Sequence, residues 1–113
     1  MNKPFKAIFY KDSKSQKEPF KEWLDGLRDT AAQARISVRI ARAEDGNFGD
    51  HKSVGSGVYE LRIPFGPGYR VYYAIEGQKI ILLLFGGNKS TQSKDIEKAQ
   101  KFWASHKKGK QNG

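Results

Sequence analysis

The stretch that most constrains this chain runs from Gly57 to Gly87: "GVYELRIPFGPGYRVYYAIEGQKIILLLFGG". Three runs rich in β-branched and aromatic residues are separated by "PFGPG" and by Glu76-Gly77. Such runs read as strands, and such breaks read as turns. Strands joined this closely form an antiparallel meander, because parallel neighbours need a long crossover. A hairpin centred on Gly66 places Arg62 opposite Arg70 and Glu60 opposite Tyr72. A two-residue turn at Glu76-Gly77 predicts Tyr73 opposite Ile80, Val71 opposite Leu82 and Tyr69 opposite Leu84.

Side chains alternate between the two faces of a strand. One face then carries Tyr59, Leu61, Ile63, Tyr69, Val71, Tyr73, Ile75, Ile80, Leu82 and Leu84, apolar throughout. It is expected under two N-terminal helices. The other face is split. Its far strand offers Ile81, Leu83 and Phe85, while its near strands offer Glu60, Arg62, Arg70 and Tyr72. That polar floor is expected to stay open.

The rest of the chain supplies the cover. "FKAIFY" reads as a first strand, and Asp12 or Ser13 is a cap for the segment that follows. Phe20, Trp23, Leu24 and Leu27 form an apolar stripe at helical spacing, with Pro19 in the first turn. Asp29 or Thr30 caps a second helix reaching about Glu44, with Ile36, Ile40 and Ala43 on its apolar side. Arg28, Arg35, Arg39 and Arg42 line that helix beside the apolar stripe, as a solvated face or a surface for RNA or an acidic partner. Residues 44–57, "EDGNFGDHKSVGSG", read as a glycine-rich loop that delivers Lys52. Thr91 or Ser93 caps a last helix bearing Ile96, Ala99 and Trp103. The order is β-α-α-β-β-β-α, an α+β class with a mostly antiparallel sheet. One domain over residues 1–106 is expected, followed by a basic frayed tail at 107–113.

Charge indicates the kind of partner. Lys and Arg total 21 against 12 Asp and Glu, a net charge of +9. Such an excess favours nucleic acid or an acidic protein. The chain has no cysteine, which excludes disulfides and thiolate metal sites. No apolar run reaches signal-peptide or membrane-span length, so a soluble, intracellular protein is expected. His51 and His106 stand in separate polar stretches and read as surface residues, so neither a metal nor a cofactor is expected. "FGGNKST" lacks the spacing of a phosphate-binding P-loop.

Like charges directly opposite one another destabilise a sheet. Arg62 beside Arg70 makes sense with an anion between them, since guanidinium forks match phosphate geometry. Lys52 and Lys89 flank them, Glu60 is a candidate base for a ribose 2′-hydroxyl, and Tyr72 a candidate to stack on or hydrogen-bond a base. These are the parts of a metal-free ribonuclease. A plain Glu60–Arg62/Arg70 ion-pair network on an exposed sheet face is the structural alternative.

"YELRI", "GPGYRVYY" and "ILLLFGGNKSTQSKDIEKA" together resemble the RelE/ParE toxin superfamily, most closely its HigB-like, phage-derived branch of addiction module killer proteins. The resemblance covers most of the chain, from the first strand to the last helix. It implies a RelE-like fold and a cytoplasmic toxin neutralised by a helix-turn-helix, HigA-like antitoxin, with a heterotetramer as one form of the pair. RelE-like and HigB-like members cleave mRNA in the ribosomal A site, against mRNA and ribosomal RNA. ParE-like members inhibit DNA gyrase without catalysis, and a detoxified binding module is a third reading; fold alone does not separate these. Residue by residue, the resemblance marks Arg70 as the arginine of the central strand. It also marks Lys52 as the basic residue entering the meander, Lys89 as the one leaving it, and Arg62 as a further cation. The chain departs from the family pattern at three places. Pro64 stands near where a turn arginine is usual. Asp95 and Ile96 stand where a tyrosine is usual, and Asn88 and Lys89 where some members have histidine. The usual general acid therefore has no counterpart, which leaves Tyr72, Lys89 or reliance on the ribosome.

Overall fold

A computed structural model of the chain describes residues 3–112, with side chains described to residue 110. The elements run β1 (Lys6–Phe9), α1 (Pro19–Asp25), α2 (Thr30–Glu44), β2 (His51–Gly55), β3 (Val58–Ile63), β4 (Tyr69–Glu76), β5 (Ile80–Asn88), a 3-10 turn (Lys89–Thr91) and α3 (Gln92–Asn112). The five strands form one mixed sheet in the order β1-β5-β4-β3-β2. β1 lies parallel to β5 at one edge, and every other pairing is antiparallel. Among the described residues no helix is long and apolar enough to cross a membrane.

The sheet has one strand more than the sequence predicts. The expected loop contains β2, hairpinned onto β3 with Lys52 opposite Glu60 and His51 opposite Leu61. Ser56 and Gly57 make the turn at φ 57° and 81°. Two consecutive positive φ values suit the twist of a tight hairpin. Gly57 is also small by need, because a Cβ there would stand 2.8 Å from the Trp103 indole nitrogen. Glycines that read as loop material thus build a turn and a contact.

The β3–β4 register is the predicted one, with Glu60 opposite Tyr72 and Arg62 opposite Arg70. The β4–β5 register is not. The connection takes Gly77, Gln78 and Lys79, so Glu76 pairs with Ile80 and Tyr73 with Leu83, and a bulge then places Tyr72 opposite Phe85. This exchanges the faces of β5. Ile81 and Leu83 pack with Phe20, Ile36, Leu61, Val71 and Tyr73 beneath α1 and α2. Leu82 and Leu84 pack with Val58, Tyr72, Ala74, Ala99 and Trp103 beneath α3. The run "IILLLF" is apolar at every position, so alternation could not tell its faces apart.

Asp29 caps α2, accepting from the amides of Ala31 at 3.0 Å and Ala32 at 3.2 Å. α1 starts at Pro19 without a side-chain cap. Asp12, one expected cap, instead holds a turn by accepting from the Ser15 amide at 2.9 Å. α3 continues to Asn112, so residues 107–112 of the expected tail are helical; Gly113 lies outside the described residues. Near its end, His106 contacts the Glu76 carboxylate, with Lys110 at 3.8 Å from the same group.

Candidate anion-binding site on the sheet

The two rows Lys52–Glu60–Tyr72 and Arg62–Arg70 share the α3 face of the sheet. Glu60 has no solvent exposure, while the side chains of Arg62 and Arg70 retain 34% and 13%. One carboxylate oxygen of Glu60 serves both arginines: Arg62 Nε donates to Oε1 at 3.1 Å, and Arg70 Nη1 stands 3.8 Å from the same atom. The other oxygen accepts from Gln92 Nε2 at 2.7 Å. Gln92 is the first residue of α3, so the helix that covers the sheet also fixes the carboxylate.

Glu60 thereby answers the repulsion between the facing arginines. Burial pushes its carboxyl upward, but the hydrogen bonds from Gln92 and Arg62 and the charge of Arg70 outweigh burial and hold it below the ordinary value. It is an ionised anchor inside the protein. A group so enclosed orients the guanidinium forks, and the surface position expected of a base for RNA is not the one it occupies. Tyr72, expected to meet a base, is buried as well. Burial, then the charge of Glu60, pushes its hydroxyl far above the usual tyrosine value. Among the described residues neither Tyr72 Oη nor Arg70 Nε finds a hydrogen-bond partner.

The structure brings Lys52 and Lys89 to the rims. Lys52 is exposed on the edge strand β2, directly across from Glu60. Lys89 is exposed beside the β3–β4 turn, where a Cβ on Gly68 would stand 3.6 Å from its own. Among the described residues neither lysine makes an ion pair.

Two contributors lie outside the expected set. Gln92 is one. Asp95 is the other: buried, bonded to Thr91, and set over Gly87, whose register partner is Arg70. The "FGGN" glycines record these approaches. A Cβ on Gly86 would collide with Trp23 of α1, and one on Gly87 with Asp95 of α3. Four cations thus stand around two buried carboxylates, an excess of positive charge on this part of the sheet face.

The α2 arginines form no part of this surface. α2 packs on the opposite face through Ala32, Ile36 and Ala43. Arg39 is a structural clamp, donating to the carbonyls of Arg62, of Phe48 at 2.9 Å and of Asp50 at 3.3 Å. Arg35 lies over the Phe65 ring, 4.3 Å from its centroid, and Arg42 is exposed.

Fold and site together define a small α+β protein that presents a cation cluster on the sheet face beside its C-terminal helix. The chain belongs to the phage-derived Gp49-like protein family, whose model matches residues 22–104. This is an addiction-module killer protein family of the RelE/ParE-like toxin type. The matched region runs from within α1 into α3 and includes every residue of the cation cluster. An uncharacterized protein of Haemophilus influenzae is 51% identical over 81 residues, covering 72% of this chain and 82% of that protein.

Proposed function

We propose that this chain is the toxin of a type II toxin–antitoxin pair and that it cleaves mRNA on the ribosome, in the manner of RelE-like and HigB-like proteins. The observation that carries the reading is the register pair Arg62–Arg70, locked onto one buried carboxylate oxygen with exposed lysines on either side. In-line attack of a ribose 2′-oxygen on the neighbouring phosphorus breaks the bond to the 5′-oxygen and leaves a 2′,3′-cyclic phosphate. Negative charge builds on the phosphorus oxygens during that attack. Pre-oriented guanidinium groups stabilise charge there without reorganising at the moment of reaction. Arg62 and Arg70 take this role, with Lys52 and Lys89 holding the flanking phosphates.

Glu60, with Gln92 behind it, orients the arginines, and the 2′ proton passes to water. Protonation of the leaving 5′-oxygen falls to Lys89 in this reading, because Lys89 is exposed whereas Tyr72 is buried. Alignment of the RNA is left to the ribosome, and alignment alone carries a large share of such a barrier. The proposed partner in the cytoplasm is a helix-turn-helix antitoxin.

The test is induced expression of the chain with mapping of RNA 5′ ends on translating ribosomes. New ends inside reading frames, together with growth arrest, are expected for the native chain. Arg70→Ala is expected to slow cleavage by about 10²-fold, the usual loss for one charge-stabilising donor. A folded Arg70→Ala variant that still arrests growth would overturn the site, and arrest with intact mRNA and damaged DNA would overturn the activity.

A further inference from the structure

Beyond the cation cluster, the structure carries a second surface that the proposed cleavage chemistry does not use. On the opposite face, α2 and the β3–β4 turn enclose a groove of about 300 Å³ with Ile63, Pro64 and Phe65 on one side and Arg35, Val38 and Arg42 on the other. We propose that this groove docks an acidic amphipathic helix of a partner protein.

The first support is Val38. It is 49% exposed, more than Phe9 and Tyr59, the other exposed large hydrophobics among the described residues. A β-branched residue in mid-helix gains nothing from helix propensity. Exposed here, it also gains little from the chain's own core. Arg35, Val38 and Arg42 follow one another at spacings of three and four, so they share one face of α2. The face therefore reads cation, apolar, cation.

The second support is charge. Among the described residues neither Arg35 nor Arg42 has a carboxylate partner. The only acid within α2, Glu44, is taken by Lys3 at 3.4 Å and by the Ala7 amide at 2.9 Å. A helix with acid, apolar and acid residues at the same spacing complements this face in charge and in shape.

The third support is order. Arg35 is already laid over Phe65, and Arg39 is tied to three backbone carbonyls. A wall held in place loses less freedom when a partner arrives. These features favour protein over RNA. The Phe65 face that a base would stack on is covered by a guanidinium, and Val38 offers nothing to a phosphate.

The probe is a designed helical peptide carrying Glu-x-x-Leu-x-x-x-Glu on one face, followed by fluorescence anisotropy against the full chain. Its control is a peptide of the same composition in scrambled order. The designed peptide is expected to bind at least about tenfold more tightly than the scrambled one. Val38→Asp is expected to remove that margin, and Arg35→Glu with Arg42→Glu to transfer it to a peptide with Lys at the two acid positions. Val38→Thr, which keeps the side-chain shape, serves as the second variant should Asp unsettle the helix. Arg62→Ala and Arg70→Ala are expected to leave binding unchanged. Equal affinity for designed and scrambled peptides would overturn the proposal. So would a single-stranded RNA oligonucleotide whose binding is lost with Arg35→Glu and Arg42→Glu yet kept with Val38→Asp.

Discussion

Arg62 and Arg70 face each other across the β3–β4 hairpin and converge on one atom, Oε1 of Glu60. A pairing that is unfavourable alone becomes the fixed geometry of a site once a buried carboxylate stands between the two. Glu60→Gln is expected to cost about 3 kcal/mol, the low end for breaking a buried ion pair because Arg62 is partly hydrated. Urea unfolding measures it.

The same carboxylate sets an acid dependence. Its folded-state value lies below the ordinary 4.5. The ionised form therefore favours the fold, fully so above the ordinary value, and this contribution is lost as pH falls through the lowered one. Stability of the native chain is expected to decline on acidification below about 4.5, and that of Glu60→Gln to decline less steeply over the same range. Equal slopes in pH-resolved unfolding would contradict this role for Glu60.

Tyr72 gives a contrasting expectation. Its hydroxyl is buried and finds no hydrogen-bond partner among the described residues. Removing an unsatisfied buried group is close to neutral or stabilising. Tyr72→Phe is expected to stay within about 1 kcal/mol of the native chain in thermal melts and to retain cleavage, since its ring and not its hydroxyl fills the core.

Arginines at neighbouring positions of one helix are expected to behave differently. Arg39→Met leaves three carbonyls without their donor and is expected to cost about 2–3 kcal/mol. Arg42→Ala, exposed and unpaired, is expected within about 0.5 kcal/mol. Parallel denaturation curves distinguish the clamp from the surface charge.

Glycines divide in the same way. Gly87→Ala drives a Cβ into Asp95 and is expected to cost about 1–3 kcal/mol, the range for overpacking. Gly109→Ala meets nothing within 4 Å in the last turns of α3 and is expected to stabilise by about 0.5–1 kcal/mol. Opposite shifts in melting temperature are the expected result.

Much of this was legible from the chain. In Val58–Ile63 and Tyr69–Glu76 the polar residues Glu60, Arg62, Arg70 and Glu76 stand at alternate positions, and the turn between the strands is centred on Gly66, so their register followed from local pattern. That was enough to bring Glu60, Arg62, Arg70 and Tyr72 onto one face. β5 and β2 were not legible in this way. β5 is apolar on both faces, and its three-residue turn and bulge left no trace in alternation. β2 is short and polar and lies in a glycine-rich segment, so its strand character comes from pairing with β3.

The sequence by itself determined the class, the meander and the meeting of two arginines. All of these rest on periodicities of two and 3.6 residues and on turn chemistry, which act over a few neighbours. Only the tertiary structure decided what the arginines meet. Gln92 and Asp95 reach the sheet because α3 packs across it through Ala99 and Trp103, contacts distant in sequence. The cover turns Glu60 and Tyr72 from surface groups into buried ones. Burial depends on which distant element lies above a residue, and no local pattern records that.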